Sequence, residues 1–385
     1  MSTVKLENVW KIYKTRKGDV IGVKNLNLDI KDGEFVALLG PSGCGKSSTL
    51  RMLAGLEEIT KGKIWVGEKI MNEIIPQDRN IAMVFENYAL YTHKTVFENI
   101  AFPLVLRGIL SDEIKKQVYW VAEILKIVDI LNENTNKLSG GQKQRVSIGR
   151  ALVRSPKVLL MDEPISHLEA KLRTHMRAEL TRLQRKLNRT IIYVTHDQHE
   201  AMTMADRIAV MNFGELQQYD TQENIYNRPF NEFVAGFIGE PPINMFNCNL
   251  EGEFNDLHLI SNNFQLKVPN KIKIEIKKEQ VLSKEMKLGI RPQDMIIVKQ
   301  KKNCRNISGE IYHWEVRGDD GVAMVEVDKN IVMVKTPADF KFSKKEEVQI
   351  DFDPEKIIIF NKHTTKNICV SEKEFVLLAE GEGYY

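Results

Sequence analysis

The chain has 385 residues, of which 43% are hydrophobic and 28% are charged, and its formal net charge is only +3. This length predicts two or three domains with sizeable cores, and the composition is that of a globular protein, which excludes a mainly disordered chain. Because 55 basic residues are balanced by 52 acidic ones, the charge also argues against a protein whose main role is to coat nucleic acid.

The cysteines and the apolar segments indicate the cellular compartment of the protein. Its four cysteines lie far apart and have no zinc-type or thioredoxin-type spacing, which favours a reducing compartment. The N-terminal residues carry charges throughout and lack the apolar core of a secretory signal. No apolar run approaches the roughly 18 residues that span a bilayer. We therefore expect a soluble or peripheral protein, whose role at a membrane would depend on a partner.

The first 237 residues alternate between segments typical of buried strands and segments typical of helices. Strands are predicted at 34–39, 157–161 and 190–195. Helices are predicted at 111–131, 142–153 and 168–187. Strands separated by helices of this length predict crossover connections, and therefore an α/β domain with a parallel sheet.

The pattern changes after Gly239-Glu-Pro-Pro242, where two prolines predict a linker. Beyond it, short strands alternate with turn signals. We predict a hairpin of 322–327 with 331–336, a turn at Gly318-Asp-Asp-Gly321, and a further strand pair of 348–353 with 356–361 around Pro354. These features predict a smaller all-β barrel of the OB type. The expected domains are residues 1–238 and 239–385.

A phosphate-binding loop is the first motif that carries chemistry. Gly40-Pro-Ser-Gly-Cys-Gly-Lys-Ser47 matches G-x-x-x-x-G-K-[ST], directly after an apolar strand and before a helical segment. Its glycines let backbone N–H groups surround an anion, Lys46 is expected to reach the β- and γ-phosphates, and Ser47 is expected to ligate Mg²⁺. An ordinary strand–turn–helix is the alternative. The predicted phosphate-binding residues are Gly40, Pro41, Ser42, Gly43, Cys44, Gly45, Lys46, Ser47 and Ser48.

Three later segments follow in a characteristic order. Leu138-Ser-Gly-Gly-Gln142 opens a predicted helix and forms a second anion-binding nest. An apolar strand then ends in Asp162-Glu163, which offers one carboxylate to Mg²⁺ and the next to a water molecule. Finally, Thr195-His196-Asp197 follows the third predicted strand.

This order of motifs resembles the ATP-binding-cassette (ABC) ATPases. The resemblance implies that two cassettes enclose two ATP molecules head to tail. Glu163 would be the general base that orients the attacking water, His196 would contact the γ-phosphate, and Asp162 would act on Mg²⁺. Tyr13 would stack on adenine, with Trp10 as a weaker candidate. The residues that would contact the partner's ATP are Ser139, Gly140, Gly141 and Gln142.

Further segments are similar to the ATPases of maltose and glycerol-phosphate importers. They are residues 84–91, Ala170-Lys-Leu-Arg173, residues 236–245 and Gly289-Ile-Arg-Pro292. The resemblance implies import of a sugar or sugar derivative, driven at the cytoplasmic face of the membrane. The implied partners are a second ATPase subunit, for which a homodimer is favoured, permease subunits on other chains and a regulatory protein on the second domain. Importers of polyamines, sulfate or iron are the alternatives.

Three positions depart from this family's pattern. Glu86 stands where the family has a glutamine that contacts Mg²⁺. A carboxylate can still bind this cation, although it adds negative charge near the γ-phosphate. Glu169 replaces an aspartate in Ser166-His-Leu-Glu169, and Ser48 replaces a threonine. These departures raise the hypothesis that the chain is the weaker half of a heterodimeric ATPase pair.

Two other classes of function are alternatives for this chain. Soluble ABC ATPases that act on DNA or ribosomes usually carry twin cassettes or coiled coils, and this chain has one cassette without sustained heptads. The aromatic residues Phe264, Trp314 and Phe342 do not cluster in the sequence, so no nucleic-acid partner is expected. A regulator that does not hydrolyse ATP is the other alternative.

Overall fold

A computed structural model describes residues 3–278, 283–298, 307–343 and 345–370. The described chain forms two compact units, which divide between Gln222 and Glu223. This division lies sixteen residues before the predicted end of the first domain, because the segment up to residue 238 groups with the second unit. The boundary at 238/239 stays a prediction.

The first unit combines two sheets with helices. Its strands are β1 (Val4–Thr15), β2 (Gly18–Ile30), β3 (Phe35–Leu39), β4 (Lys61–Val66), β5 (Lys69–Ile70), β6 (Ile81–Val84), β7 (Val158–Asp162), β8 (Thr190–Thr195), β9 (Arg207–Asn212) and β10 (Glu215–Thr221). Its helices are α1 (Lys46–Ala54), α2 (Val96–Val105), α3 (Ser111–Leu125), α4 (Gly140–Leu152), α5 (Ala170–Leu187) and α6 (Gln198–Met204).

The larger sheet of the first unit has the order β10-β9-β3-β8-β7-β6, and the smaller sheet has the order β2-β1-β4-β5. Strands β9, β3, β8, β7 and β6 run parallel, which confirms the predicted parallel sheet, and β10 is antiparallel to β9. All residues of β3 and β8 are buried, as expected of strands that are covered on both faces. The carboxyl ends of the parallel strands meet at one edge of the sheet, where α/β proteins bind their ligands.

The predicted helices of the first unit are confirmed, with one end displaced. The helix predicted over 111–131 ends at Leu125, because Lys126 adopts a left-handed conformation with φ 55° and caps the helix. Beyond this end, the chain forms a single 3₁₀ turn, Val128–Ile130, where the sequence predicted more α-helix. Helices commonly end at a left-handed residue, which is usually a glycine. Because this residue is a lysine, the sequence does not indicate that the helix ends here.

The second unit is built mainly from strands. They are β11 (Asn244–Glu251), β12 (His258–Ile260), β13 (Gln265–Lys267), β14 (Glu285–Ile290), β15 (Met295–Val298), β16 (Ile307–Arg317), β17 (Asp320–Val327), β18 (Asn330–Pro337), β19 (Glu347–Phe352) and β20 (Ile358–Asn361). Its helices are α7 (Gln222–Asn227), which starts at the division, α8 (Glu232–Phe237) and α9 (Asn270–Lys278).

These strands form two antiparallel five-stranded sheets with the orders β13-β12-β11-β14-β20 and β15-β19-β16-β17-β18. One apolar cluster contains residues of both sheets, among them Leu259, Leu288, Val325 and Ile350. Asn244 of the first sheet also exchanges two hydrogen bonds of 2.8 Å with the backbone of Met333 in the second. The predominance of strands after residue 239 confirms the predicted all-β character, to which α9 adds a helix.

Two of the three predicted strand connections are confirmed. Strands β17 and β18 form a hairpin around Asp328 and Lys329, and both of these residues have positive φ. Strands β16 and β17 turn at Gly318, as predicted. The predicted pairing around Pro354 is wrong, because β19 pairs with β15 and β16, whereas β20 pairs with β14. A 3₁₀ turn at Pro354–Lys356, capped by Asp353, takes the chain from one sheet to the other.

Candidate functional site

The loop between β3 and α1 has the form that the sequence motif predicts. Gly45 has φ 102° immediately before the first helical residue. A Cβ atom at Gly45 would collide with the carbonyl oxygen of Gly22, and one at Gly40 would collide with that of Met211. Glycine is therefore required at both positions by close backbone approach. The amino terminus of α1 adds partial positive charge at this loop.

Lys46 is held inside the loop. Its side chain is only 5% exposed, and Nζ donates hydrogen bonds to the carbonyl oxygens of Gly40 at 2.7 Å and Pro41 at 2.9 Å. The ammonium group thus lies at the centre of the loop that surrounds it. This is an arrangement suited to binding a phosphate group.

Asp162 and Ser47 meet at the carboxyl edge of the sheet. The Ser47 hydroxyl donates a hydrogen bond of 3.0 Å to Oδ1 of Asp162, the last residue of β7. Burial raises the pKa of the Asp162 carboxyl, while the Ser47 hydrogen bond and the charge of Arg51 oppose that shift. A partly buried carboxylate beside a hydroxyl offers oxygen ligands of the kind that Mg²⁺ prefers.

Glu163 and His196, the two predicted catalytic residues, are in direct contact. The Oε2 atom of Glu163 lies 2.8 Å from Nδ1 of His196. Glu163 has φ 44°, and its backbone N–H donates to the carbonyl oxygen of Val194 at 3.0 Å. The two side chains are 22% and 56% exposed, so both can be reached by solvent. A left-handed glutamate is uncommon and is typical of functional sites.

Glu200 supports this pair and was missed by the sequence reasoning. Its Oε2 atom accepts hydrogen bonds from Tyr193 at 2.7 Å and from Thr195, the residue before His196, at 2.8 Å. Glu200 is 2% exposed, and burial raises the pKa of its carboxyl. In the sequence, Glu200 can be recognised only as an acidic residue in the first turn of a helix that Asp197 caps. That pattern predicts a helix start, but it does not predict the hydrogen bonds to Tyr193 and Thr195.

The Ser-Gly-Gly segment forms the amino terminus of α4. The Ser139 hydroxyl accepts from the N–H of Gln142, and the Gln142 side chain accepts from the N–H of Ser139, which together make a capping box. A Cβ atom at Gly140 or Gly141 would lie 3.0 Å from a leucine side chain of the same unit. The hydrogen bonds of Ser139 and Gln142 in the described chain are local to this helix start, and none joins them to the phosphate loop.

Tyr13 lies beside the start of α1. Its hydroxyl is 2.7 Å from the Ser48 hydroxyl and donates to Oε2 of Glu57 at 2.6 Å, while its ring covers Gly22. Burial raises the pKa of Tyr13, and the hydrogen bond to Glu57 raises it further. Tyr13 therefore lies next to the phosphate loop, and its contact with the base stays a prediction. Trp10 pairs with Lys61 of β4, whose ammonium lies 5.8 Å from the indole ring.

The segment after Glu86 is strained and is held by α4. Tyr88 and Ala89 both have positive φ, at 60° and 47°. Ser147 donates to the carbonyl oxygen of Tyr88 at 2.9 Å, and Arg150 donates to the same oxygen at 3.0 Å and to that of Ala89 at 2.6 Å. Glu86 itself pairs with His167, since its Oε1 atom lies 3.2 Å from Nε2.

The fold and these contacts define a nucleotide-binding ATPase cassette: a parallel sheet with a phosphate loop, an Asp-Glu strand end and a histidine at one edge. The family model described as "ABC transporter" matches residues 23–166, and that described as "TOBE domain" matches residues 288–360. The trehalose/maltose import ATP-binding protein MalK of Thermococcus litoralis is 45% identical over 96% of this chain and 100% of its own length. The chain belongs to the ATP-binding proteins of ABC transporters and is an ABC-type ATPase.

Other relatives agree with this family. The oligosaccharides import ATP-binding protein MsmX of Bacillus subtilis is 43% identical over 96% of this chain and 100% of its own length. The xylose/arabinose import ATP-binding protein XacK of Haloferax volcanii is 46% identical over 83% of this chain and 82% of its own length.

Solved structures resemble the cassette. The dimeric structure of MJ0796, a bacterial ABC transporter cassette, matches 57% of this chain and 98% of its own with a TM-score of 0.52 and 32% identity. A second dimeric structure of that cassette, bound to ADP and Pi, matches with the same values. Among the described residues of our chain, no helix is both long and apolar enough to cross a membrane.

Proposed function

We propose that the chain is the energy-coupling subunit of an importer for a sugar or sugar derivative. It acts as a dimer of cassettes at the cytoplasmic face of the membrane, bound to permease subunits on other chains. The proposal is supported by similarity to proteins named for import of trehalose/maltose, oligosaccharides and xylose/arabinose, which extends over most of the chain. Importers of polyamines, sulfate or iron, and a regulatory protein bound to the second unit, remain hypotheses from the sequence.

The catalytic part of the proposed function rests on the contact of Glu163 with His196. The Glu163 carboxylate accepts a proton from the attacking water and orients it, as a general base does. His196 holds that carboxylate through Nδ1 and contacts the γ-phosphate. Lys46 binds the phosphates from within the loop, and Tyr13 stacks on the base. Most of the acceleration then comes from positioning and from stabilisation of charge.

A divalent cation fits the residues at the sheet edge. Asp162 and Ser47 are already joined at 3.0 Å, and Glu86, which follows β6, lies close enough for its charge to raise the pKa of Asp162. Among the described residues, no group of three or more acidic, histidine or cysteine side chains forms a metal cage. Mg²⁺ usually binds to few protein ligands together with substrate phosphates. When bound, it neutralises charge that develops on the phosphate oxygens.

A second copy of the chain completes the site. The hydrogen bonds of Ser139 and Gln142 are confined to the start of α4, which leaves the Gly140 and Gly141 N–H groups at a helix amino terminus able to bind an anion. The same residues of a partner would contact the γ-phosphate of an ATP bound to Gly40–Ser48. This arrangement agrees with the dimeric state of the similar MJ0796 cassette.

The test is hydrolysis of Mg·ATP by the purified chain over a range of protein concentrations. We expect the turnover per chain to rise with concentration, because two copies form the site. Glu163→Gln should lower it by a factor of about 10²–10⁴, since a general base is lost. Glu68→Gln, at an exposed turn between β4 and β5, is the matched control and should leave turnover unchanged.

Two results would count against this proposal. Turnover that persists in Glu163→Gln would show that Glu163 is not the base. Turnover that is negligible for the chain alone but returns when a different cassette chain is added would support a heterodimer in place of the homodimer.

A further inference from the structure

The turn between β9 and β10 contains an unusual aromatic residue. Asn212 pairs with Glu215, so Phe213 and Gly214 form a two-residue hairpin loop. Both have positive φ, at 47° and 81°. Such loops favour Asn-Gly or Asp-Gly, because a bulky side chain is strained in the left-handed region. Phe213 is also 87% exposed, the highest value among the large exposed hydrophobic side chains of the described residues.

The turn is fixed to the phosphate loop. The Gly214 N–H donates to the carbonyl oxygen of Cys44 at 3.1 Å, and the Lys24 N–H donates to the carbonyl oxygen of Gly214 at 2.8 Å. A Cβ atom at Gly214 would lie 3.1 Å from the carbonyl oxygen of Gly22, the residue beneath the Tyr13 ring. The position of Phe213 is therefore set by the same backbone that forms the nucleotide site.

The turn also lies at the catalytic edge of the sheet. Strand β9 is parallel to β3, which is parallel to β8, and β8 is parallel to β7. The residues that follow β9 therefore share an edge with the phosphate loop, Glu163 and His196. Phe213 flanks the phosphate loop on the side away from these two catalytic residues, because β9 and β8 lie on opposite sides of β3.

We propose that Phe213 is a contact between two copies of this chain across the nucleotide face. The inference rests on the proposed function, in which a second copy covers this edge. A ring that is 87% exposed has almost no contact with its own chain, and burial against a second copy would remove its apolar surface from water. A second copy buries this surface only when the two cassettes close.

The experiment compares ATP-dependent dimerisation of Phe213→Asn with that of its parent. Both carry Glu163→Gln to slow hydrolysis, and the dimer dissociation constant is measured by sedimentation velocity with Mg·ATP. We expect Phe213→Asn to weaken dimerisation by at least about tenfold, because each dimer loses two buried rings. Phe213→Tyr should restore it to within about threefold of the parent, since it keeps the ring.

Two further readouts separate this contact from a structural role. Without nucleotide, the thermal transition of Phe213→Asn should be unchanged or higher, because asparagine fits the left-handed turn better than phenylalanine. ATP affinity of the dilute monomer, measured with a fluorescent nucleotide, should not change. Asp328→Asn, at the first position of the β17–β18 turn, where both residues also have positive φ, is the matched control and should leave dimerisation unchanged.

Three outcomes would overturn the inference. If the Phe213→Asn variant dimerises as tightly as its parent, the proposed contact is wrong while the proposed function stands. If the monomer of this variant loses ATP affinity, Phe213 contacts the nucleotide and not a second copy. If the parent stays monomeric with Mg·ATP at every concentration, the homodimer of the proposed function fails together with the inference.

Discussion

At the scale of single residues, the carboxylate of Glu86 is paired with His167. Glu86 stands where the resemblance implies a glutamine, and its carboxylate lies 3.2 Å from His167, two residues before Glu169. The side chains are 50% and 59% exposed, so solvent screens their interaction, and the pair contributes little to stability. The pair matters for function because Glu86 adds a negative charge near the proposed cation site.

We predict that Glu86→Gln raises ATP turnover by roughly fivefold. Removal of one negative charge near the phosphates should be worth about 1 kcal/mol in a largely solvated site, and that energy corresponds to about this factor in rate. The measurement is steady-state hydrolysis at saturating Mg²⁺, with Glu68→Gln as the exposed control. A fall in turnover that excess Mg²⁺ reverses would instead mean that the carboxylate is needed to hold the cation.

At the scale of elements, helix α4 connects the Ser-Gly-Gly segment with the strained segment after Glu86. The helix starts at Gly140 with Ser139 as its cap, and from its later turns Ser147 and Arg150 hold the carbonyl oxygens of Tyr88 and Ala89. The Arg150 guanidinium also lies 5.6 Å from the Tyr91 ring, and burial lowers its pKa. Two consecutive left-handed residues without glycine persist only when their surroundings hold them.

Arg150→Ala should release that segment. The variant loses two hydrogen bonds from a charged donor, which predicts a loss of about 1.5–3 kcal/mol in the free energy of unfolding. Hydrogen exchange at residues 86–93 should increase more than elsewhere in the first unit, because the carbonyl oxygens of Tyr88 and Ala89 lose their donors. Arg107→Ala, which removes an exposed arginine, is the control. Unchanged exchange at 86–93 would contradict the proposed restraint.

At the scale of the whole molecule, the chain divides into two units with different architectures. The first has a parallel sheet that brings the proposed catalytic residues to one edge, and the second has two antiparallel sheets around a common apolar cluster. The proposed chemistry belongs to the first unit and uses ATP. Nothing in the proposed chemistry selects a solute, so we expect the proposed importer to recognise its solute on another chain.

The solute prediction is therefore tested on the transporter in cells. Deletion of this gene should abolish uptake of a labelled oligosaccharide, and the wild-type chain should restore uptake where Glu163→Gln does not. Glu68→Gln should restore it as well as the wild type. Loss of spermidine, sulfate or iron uptake with normal oligosaccharide uptake would favour the alternative importers.

The sequence by itself determined the features that depend on neighbouring residues. The phosphate loop is contiguous, and its glycines and lysine lie at fixed offsets, so its position between β3 and α1 was predicted and confirmed. The turns at Gly318 and Asp328 were predicted for the same reason, since a short loop fixes the pairing of the strands beside it. The roles of the individual site residues stay predictions that the experiments above test.

Only the tertiary structure decided which distant residues meet. Glu163 and His196 are brought together because β7 and β8 are neighbours in the sheet, and Glu200 supports them through a buried contact that no local pattern reveals. Trp314 and Phe342, far apart in the sequence, have ring centroids 6.0 Å apart. The pairing around Pro354 was predicted wrongly because strand partners are chosen by long-range packing, which local turn signals do not encode.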